Sequence, residues 1–151
     1  MILYLDTSAL VKLYVRERGS AQVRRHVNKA EVVATSVVAY AEARAAFARL
    51  LRERPASGNR HRERVGQLDH DWQRYAVVEL ISAVAHNAGE LADQHGLRGF
   101  DAIHLASALW LKAAYTDELV FAAFDRKLTA GAKSAGLTIT RQFTSARRRP
   151  S

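Results

Sequence analysis

The sequence predicts an α/β fold, with one parallel β-sheet covered by helices on both faces. Short apolar runs of four to six residues alternate along the chain with longer segments of helical periodicity, the pattern of β-α-β units. The runs are apolar almost throughout, as strands buried on both faces must be. A length of 151 residues suits one domain with a substantial core, and no linker or internal repeat divides it. That domain is expected to span residues 1–141, with 142–151 (QFTSARRRPS) a basic, disordered tail.

Each element has its own signal. ILYL at 2–5 is an apolar run ending at Asp-Thr-Ser, a strand running into a helix cap. Helices follow over about 8–16 and about 20–29. VVAT at 32–35 is the second strand, and Ser36 can cap a long helix over about 37–54. PASGN at 55–59 breaks that helix, and 60–75 is a charged amphipathic helix, so the two form a hairpin. AVVEL at 76–80 is the third strand, and a helix over 83–95 stops at Gly96. The segment GFDAIHLASALW (99–110) has only His104 and Ser107 as polar residues between Ala102 and Leu111, so it is a helix wrapped in protein. LVFAAF at 119–124 is the fourth strand, Asp125 opens another helix, and LTIT at 137–140 is the fifth strand.

Composition narrows the function. The formal net charge is +8, which draws a compact domain to polyanions, nucleic acid foremost. A membrane surface would suit the charge too, but no stretch approaches the roughly 18 unbroken apolar residues of a spanning helix. MILYLDTSAL has no basic start and Asp6 interrupts its apolar run, so no signal peptide is expected. Cysteine is absent, which excludes disulfides, thiolate zinc sites and cysteine nucleophiles and fits a reducing cytoplasm.

The acids carry the chemistry. Asp6 follows the first strand and Asp125 the fourth. If those strands are parallel neighbours, both carboxylates stand at the carboxyl edge of the sheet, where α/β proteins bind ligands. Asp117 and Glu118 precede the fourth strand and belong to the opposite edge. Glu42 has Val38, Ala39, Ala45 and Ala46 as its helical neighbours, so no local cation neutralises it. Asp101 heads the apolar helix with His104 and Leu105 at the partner positions, and Arg98 within reach in the preceding loop. Taken singly, Asp6, Asp101 and Asp125 are ordinary helix caps, and a cap can still lend its other oxygen to a cation. Together, four crowded carboxylates raise one another's pKa values unless cations sit between them. All-oxygen ligands select Mg²⁺ or Mn²⁺, and such ions promote phosphodiester hydrolysis by activating water and stabilising the leaving oxygen.

The segments YLDTSALVKLY, AYAEARAAF, GFDAIHLASAL and FAAFDRKLTAGAKSAGL resemble, in that order and over almost the whole chain, the PIN domain, specifically VapC-type toxin ribonucleases. The resemblance implies a three-layer α/β/α sandwich with a five-stranded parallel sheet. It implies a metal-dependent endoribonuclease, homodimeric and held inactive by a VapB-type antitoxin. The family's acidic cluster maps onto Asp6, Glu42, Asp101 and Asp125, and its hydroxyl onto Thr7 with Ser8 beside it. Ala123 stands where many members carry Thr or Ser.

Lesser signals have plain readings beside functional ones. Arg44, Arg49, Arg52, Arg54, Arg60, Arg62 and Arg64 form either a rim for RNA phosphates or a solvated hairpin. DHD at 69–71 has the residue types of metal ligands but not helical ligand spacing. His104 is expected as a hydrogen-bonded core histidine that can line the site, and Tyr4, Tyr14, Tyr40 and Trp110 as core or dimer-interface residues. Two other functions compete. Haloacid-dehalogenase-like phosphatases need a second Asp where this chain has Ser8. A non-catalytic RNA-binding domain, or a PIN nuclease that processes RNA for housekeeping, would share the fold.

Overall fold

The computed structural model describes residues 1–141; the expected tail at 142–151 lies outside the described residues. Five strands form one sheet: β1 Ile2–Leu5, β2 Val32–Ser36, β3 Ala76–Val78, β4 Leu119–Ala122 and β5 Thr138–Ile139. Their order is β3-β2-β1-β4-β5, and every pairing is parallel. β1 is the central strand and all four of its residues are buried. Its neighbours on the two sides, β2 and β4, are 30 and 117 positions on in register, at Ile2↔Val32 and Ile2↔Leu119. The chain first winds outward through β2 and β3, then crosses back over β1 to β4. Strand order therefore reverses between β1 and β4, and a crevice opens there at the carboxyl edge.

Helices α1 Thr7–Val11, α2 Ser20–Lys29, α3 Val38–Glu53 and α4 Gly58–Trp72 cover one face, and α5 Ser82–His95, α6 Gly99–Ala114 and α7 Arg126–Ser134 the other. The period-2 side-chain alternation of β1 separates the two cores. Leu3 and Leu5 pack with Leu10, Val23, Phe47 and Leu68 on the first face. Ile2 and Tyr4 pack with Leu91, Leu105, Phe121 and Leu128 on the second. The three-layer sandwich expected from the sequence is thus the observed architecture.

Several boundaries shift, each for a local reason. The helix expected to reach residue 16 leaves α geometry after Val11, where Leu13 and Tyr14 donate to carbonyls only three residues back and tighten the turn. The hairpin break is narrower than PASGN: Pro55–Ser57 forms a single 3-10 turn, and Gly58 already opens α4. β3 ends at Val78 because its partner β2 ends at Ser36, and the next bond, from Val37 N–H to Val78 C=O, leads into α3. β4 ends at Ala122, and Phe121 C=O and Ala122 C=O accept from Thr140 and Asp6.

Candidate active site

β1 and β4 are parallel neighbours, so Asp6 and Asp125 both leave the sheet at its carboxyl edge. The Asp6 N–H donates to Ala122 C=O at 3.1 Å, pinning the end of β1 to the end of β4. Ile2 N–H donates to Glu118 C=O at 2.8 Å, which places Asp117 and Glu118 at the amino edge.

Asp6 is the N-cap of α1 and is only 3% exposed. Its Oδ1 accepts from Ala9 N–H at 2.9 Å, and the Ser8 hydroxyl reaches Oδ1 at 2.7 Å and Oδ2 at 3.0 Å. Burial pushes its carboxyl up to about 6, with the Asp101 charge adding to the rise, against the pull of His104, Ala9 N–H and Ser8. Ser8 also accepts from Phe124 N–H at 3.3 Å, which ties the β1–α1 and β4–α7 junctions together.

Glu42 is half-buried on α3. The hydrogen-bond partners it lacks locally come from elsewhere in the fold. His104 Nε2 on α6 lies 3.1 Å from Glu42 Oε1, and the Thr7 hydroxyl donates to the same oxygen at 2.6 Å. Burial raises the Glu42 carboxyl, but these hydrogen bonds and the His104 ring outweigh it and bring it below the ordinary value. His104 is fully buried, and its Nδ1 meets the Tyr4 hydroxyl at 2.9 Å. Burial holds the Tyr4 phenol protonated well above its ordinary pKa.

Asp101 departs from the capping expectation. α6 begins two residues earlier, at Gly99, with Arg98 as N-cap. Asp101 therefore lies within the first turn, half-buried, and makes no cap hydrogen bond. Burial raises its carboxyl, and Asp125 and Glu42 raise it further, while His104 and Arg98 pull it down. Arg98 acts at a distance: among the described residues no ion pair joins it to Asp101. Asp125 is exposed and does cap α7, accepting from Leu128 N–H at 2.8 Å. The four acids are thus close enough for charge to act along a chain, Asp125 and Glu42 on Asp101, and Asp101 on Asp6.

The family model for the PIN domain matches residues 3–133. The chain belongs to the PIN-domain family. It is 37% identical over 138 residues to Ribonuclease VapC45 of Mycobacterium tuberculosis (strain CDC 1551 / Oshkosh), covering 91% of this chain and 94% of that protein. Mycobacterium tuberculosis VapC20, a Sarcin-Ricin loop cleaving toxin, has a TM-score of 0.64 at 19% identity and covers 93% of this chain and 99% of that one. A toxin-antitoxin complex from Klebsiella pneumoniae has a TM-score of 0.63 at 17% identity, covering 85% and 91%. The two structural likenesses carry the fold.

The PIN-domain site suits a hard divalent cation by its donor chemistry. Asp6 and Asp101 are held above their ordinary pKa values by burial and by neighbouring carboxylates, Asp101 acting on Asp6, and Asp125 and Glu42 on Asp101. Among the described residues no three His, Cys, Asp or Glu side chains close into a coordination sphere of their own. Mg²⁺ keeps several waters and needs few direct protein ligands. The hydrogen bonds also leave oxygens to spare: Asp125 caps through Oδ1, and Glu42 is held through Oε1.

The remaining sequence candidates fall outside this cluster. Asp69 and Asp71 take the hydroxyls of Tyr40 at 2.6 Å and Tyr14 at 2.8 Å, as packing contacts between α4 and its neighbours. Some hairpin arginines have structural partners: Arg44 donates to Tyr40 OH at 2.9 Å, Arg49 pairs with Glu53 at 3.4 Å, and Arg62 bonds Asn59. Of the residues expected in the core or at a dimer interface, Tyr4 and Tyr14 are buried in the core, Tyr40 is half-buried and Trp110 is 47% exposed. Ala123 is buried and brings no hydroxyl near Asp125. The sequence reading placed Tyr4 in the core but missed its link to the site. The available signal was its position two residues before Asp6, at the carboxyl end of β1.

Proposed function

We propose that this PIN-domain protein is a metal-dependent endoribonuclease that hydrolyses RNA phosphodiester bonds and acts as the toxin of a toxin–antitoxin pair. What supports this reading most is that Asp6 and Asp125 leave neighbouring strands at one edge of the sheet, while Asp101 is near enough to act on Asp6 and to be acted on by Asp125 and Glu42. The relative named Ribonuclease VapC45 and the likeness to a toxin-antitoxin complex support it.

Asp6, Glu42 and Asp101 would hold Mg²⁺ (or Mn²⁺), with Asp125 completing the set from the β4 side. When bound, the cation supplies Lewis acidity toward water and a phosphate oxygen. Thr7 and Ser8 keep Glu42 and Asp6 in fixed orientations through their hydroxyls. Arg98 and the α3–α4 arginines give the approach a positive rim for RNA, screened by salt. A VapB-type antitoxin is the proposed neutralising partner. Exposed Phe100 and Trp110 on α6 suit a homodimer interface. A cytoplasmic location fits a cysteine-free chain, and among the described residues no helix is long and apolar enough to cross a membrane.

The test is cleavage of RNA by purified protein with Mg²⁺ or Mn²⁺ and with chelator. Cleavage by the wild type only with metal, and none by Asp6→Asn, is the expected result. Metal-independent cleavage, or cleavage by a folded Asp6→Asn variant at the wild-type rate, contradicts the reading.

A further inference from the structure

We propose that His104 is the positioning residue of this site: its one imidazole ties the core hydroxyl of Tyr4 to Thr7 and Glu42, and so decides which Glu42 oxygen is left for the cation. The inference deepens the nuclease reading and rests on it.

For a neutral His104 ring, counting hydrogens leaves one arrangement. The ionised Glu42 carboxylate can only accept. Thr7 has a single hydroxyl hydrogen, and it goes to Glu42 Oε1 at 2.6 Å. The 2.9 Å contact between Thr7 Oγ1 and His104 Nε2 therefore requires a hydrogen on Nε2. The same N–H faces Glu42 Oε1 at 3.1 Å, so it is shared between the two acceptors. A ring with its hydrogen on Nε2 accepts at Nδ1, and the Tyr4 hydroxyl donates there at 2.9 Å.

The anchor of this relay is rigid. Tyr4 is fully buried in central strand β1, its ring stacked on Phe121 with centroids 5.4 Å apart and planes within 6°. The edge of the His104 ring meets the Tyr4 ring at 75°. Tyr4 and His104 are both fully buried, so the ring orientation is passed directly to Thr7 and Glu42. Both bonds to Glu42 fall on Oε1. Oε2 takes neither bond and is the oxygen left for the cation. A histidine serving only to fill the core would have no reason to spend its second nitrogen on an acid of the site.

Two amide variants separate donor geometry from packing. A Gln side chain reaches the place of Nε2, whereas Asn stops near the place of Nδ1. Mn²⁺ binding is measured by calorimetry on wild type, His104→Gln and His104→Asn, with RNA cleavage kinetics on the same samples. Asn is expected to weaken Mn²⁺ binding at least about ten-fold and to lower kcat with little change in KM. Gln is expected to restore Mn²⁺ affinity to within about three-fold of wild type. Wild-type affinity in the Asn variant overturns the positioning role. Absence of Mn²⁺ uptake by the wild type itself overturns the nuclease reading, and the role with it. A readout that needs neither metal nor variant is the two-bond ¹H–¹⁵N imidazole spectrum: Nε2–H supports the relay, and Nδ1–H overturns it.

Discussion

Asp6→Asn should make the metal-free protein more stable at neutral pH while destroying its activity. Asp6 is buried at 3% exposure, with its carboxyl raised from 3.8 to about 6. A folded-state pKa above the unfolded value means that the folded state holds its proton longer. Stability from this group is therefore fully present below about pH 4 and lost as pH rises toward about 6. The gap of about two units corresponds to about 3 kcal/mol at pH 7. Asn keeps the N-cap bond from Ala9, since Asn and Asp cap equally well, but weakens the contacts with Ser8. A net gain of about 1–3 kcal/mol is expected. The assay is urea unfolding of both proteins in chelator from pH 4 to pH 7.5. The variant's advantage should be near zero at pH 4, open through pH 5–6, and level off above it. A variant less stable than wild type at pH 7 would refute the claim that Asp6 carries an uncompensated charge. Added Mg²⁺ should stabilise the wild type and leave the variant unmoved.

Asp101→Asn should abolish RNA cleavage with an unchanged circular dichroism spectrum, because Asp101 caps nothing and its loss leaves α6 intact. Retained activity would remove it from the site. Expression of the wild type alone should arrest growth while Asp6→Asn does not, and equal arrest by both would count against nuclease toxicity. Gly19→Ala should lower stability by more than about 1 kcal/mol in thermal unfolding. Gly19 has φ +93°, and an added Cβ would lie 2.8 Å from the Phe124 ring. Phe47→Ala should lower stability by about 3–5 kcal/mol, since Phe47 is fully buried between α3 and the sheet.

The sheet was legible in the sequence because β1 and β4 are apolar on both faces, a pattern that a surface helix does not share. The placement of Asp6 and Asp125 followed from strand polarity alone. Helix ends were less legible, because tertiary bonds decide them. Gly99 starts α6 with no side-chain cap, so Asp101 looked like the cap when it is a free carboxylate in the first turn. The Glu42–His104 contact joins residues 62 positions apart, on helices from opposite faces of the sheet, and only the folded sheet edge creates it. The sequence showed that Glu42 lacked a local cation, which was the trace this contact left. Tyr4 sat in an apolar run, and its hydroxyl gave no sign of its partner.

The most direct test is anomalous X-ray diffraction from crystals of the wild-type protein soaked in Mn²⁺. The account predicts a peak at the carboxyl edge of the sheet, in contact with oxygens of Asp6 and Asp101. A structure with Mn²⁺ bound only elsewhere, or with none bound at millimolar concentration, would contradict it.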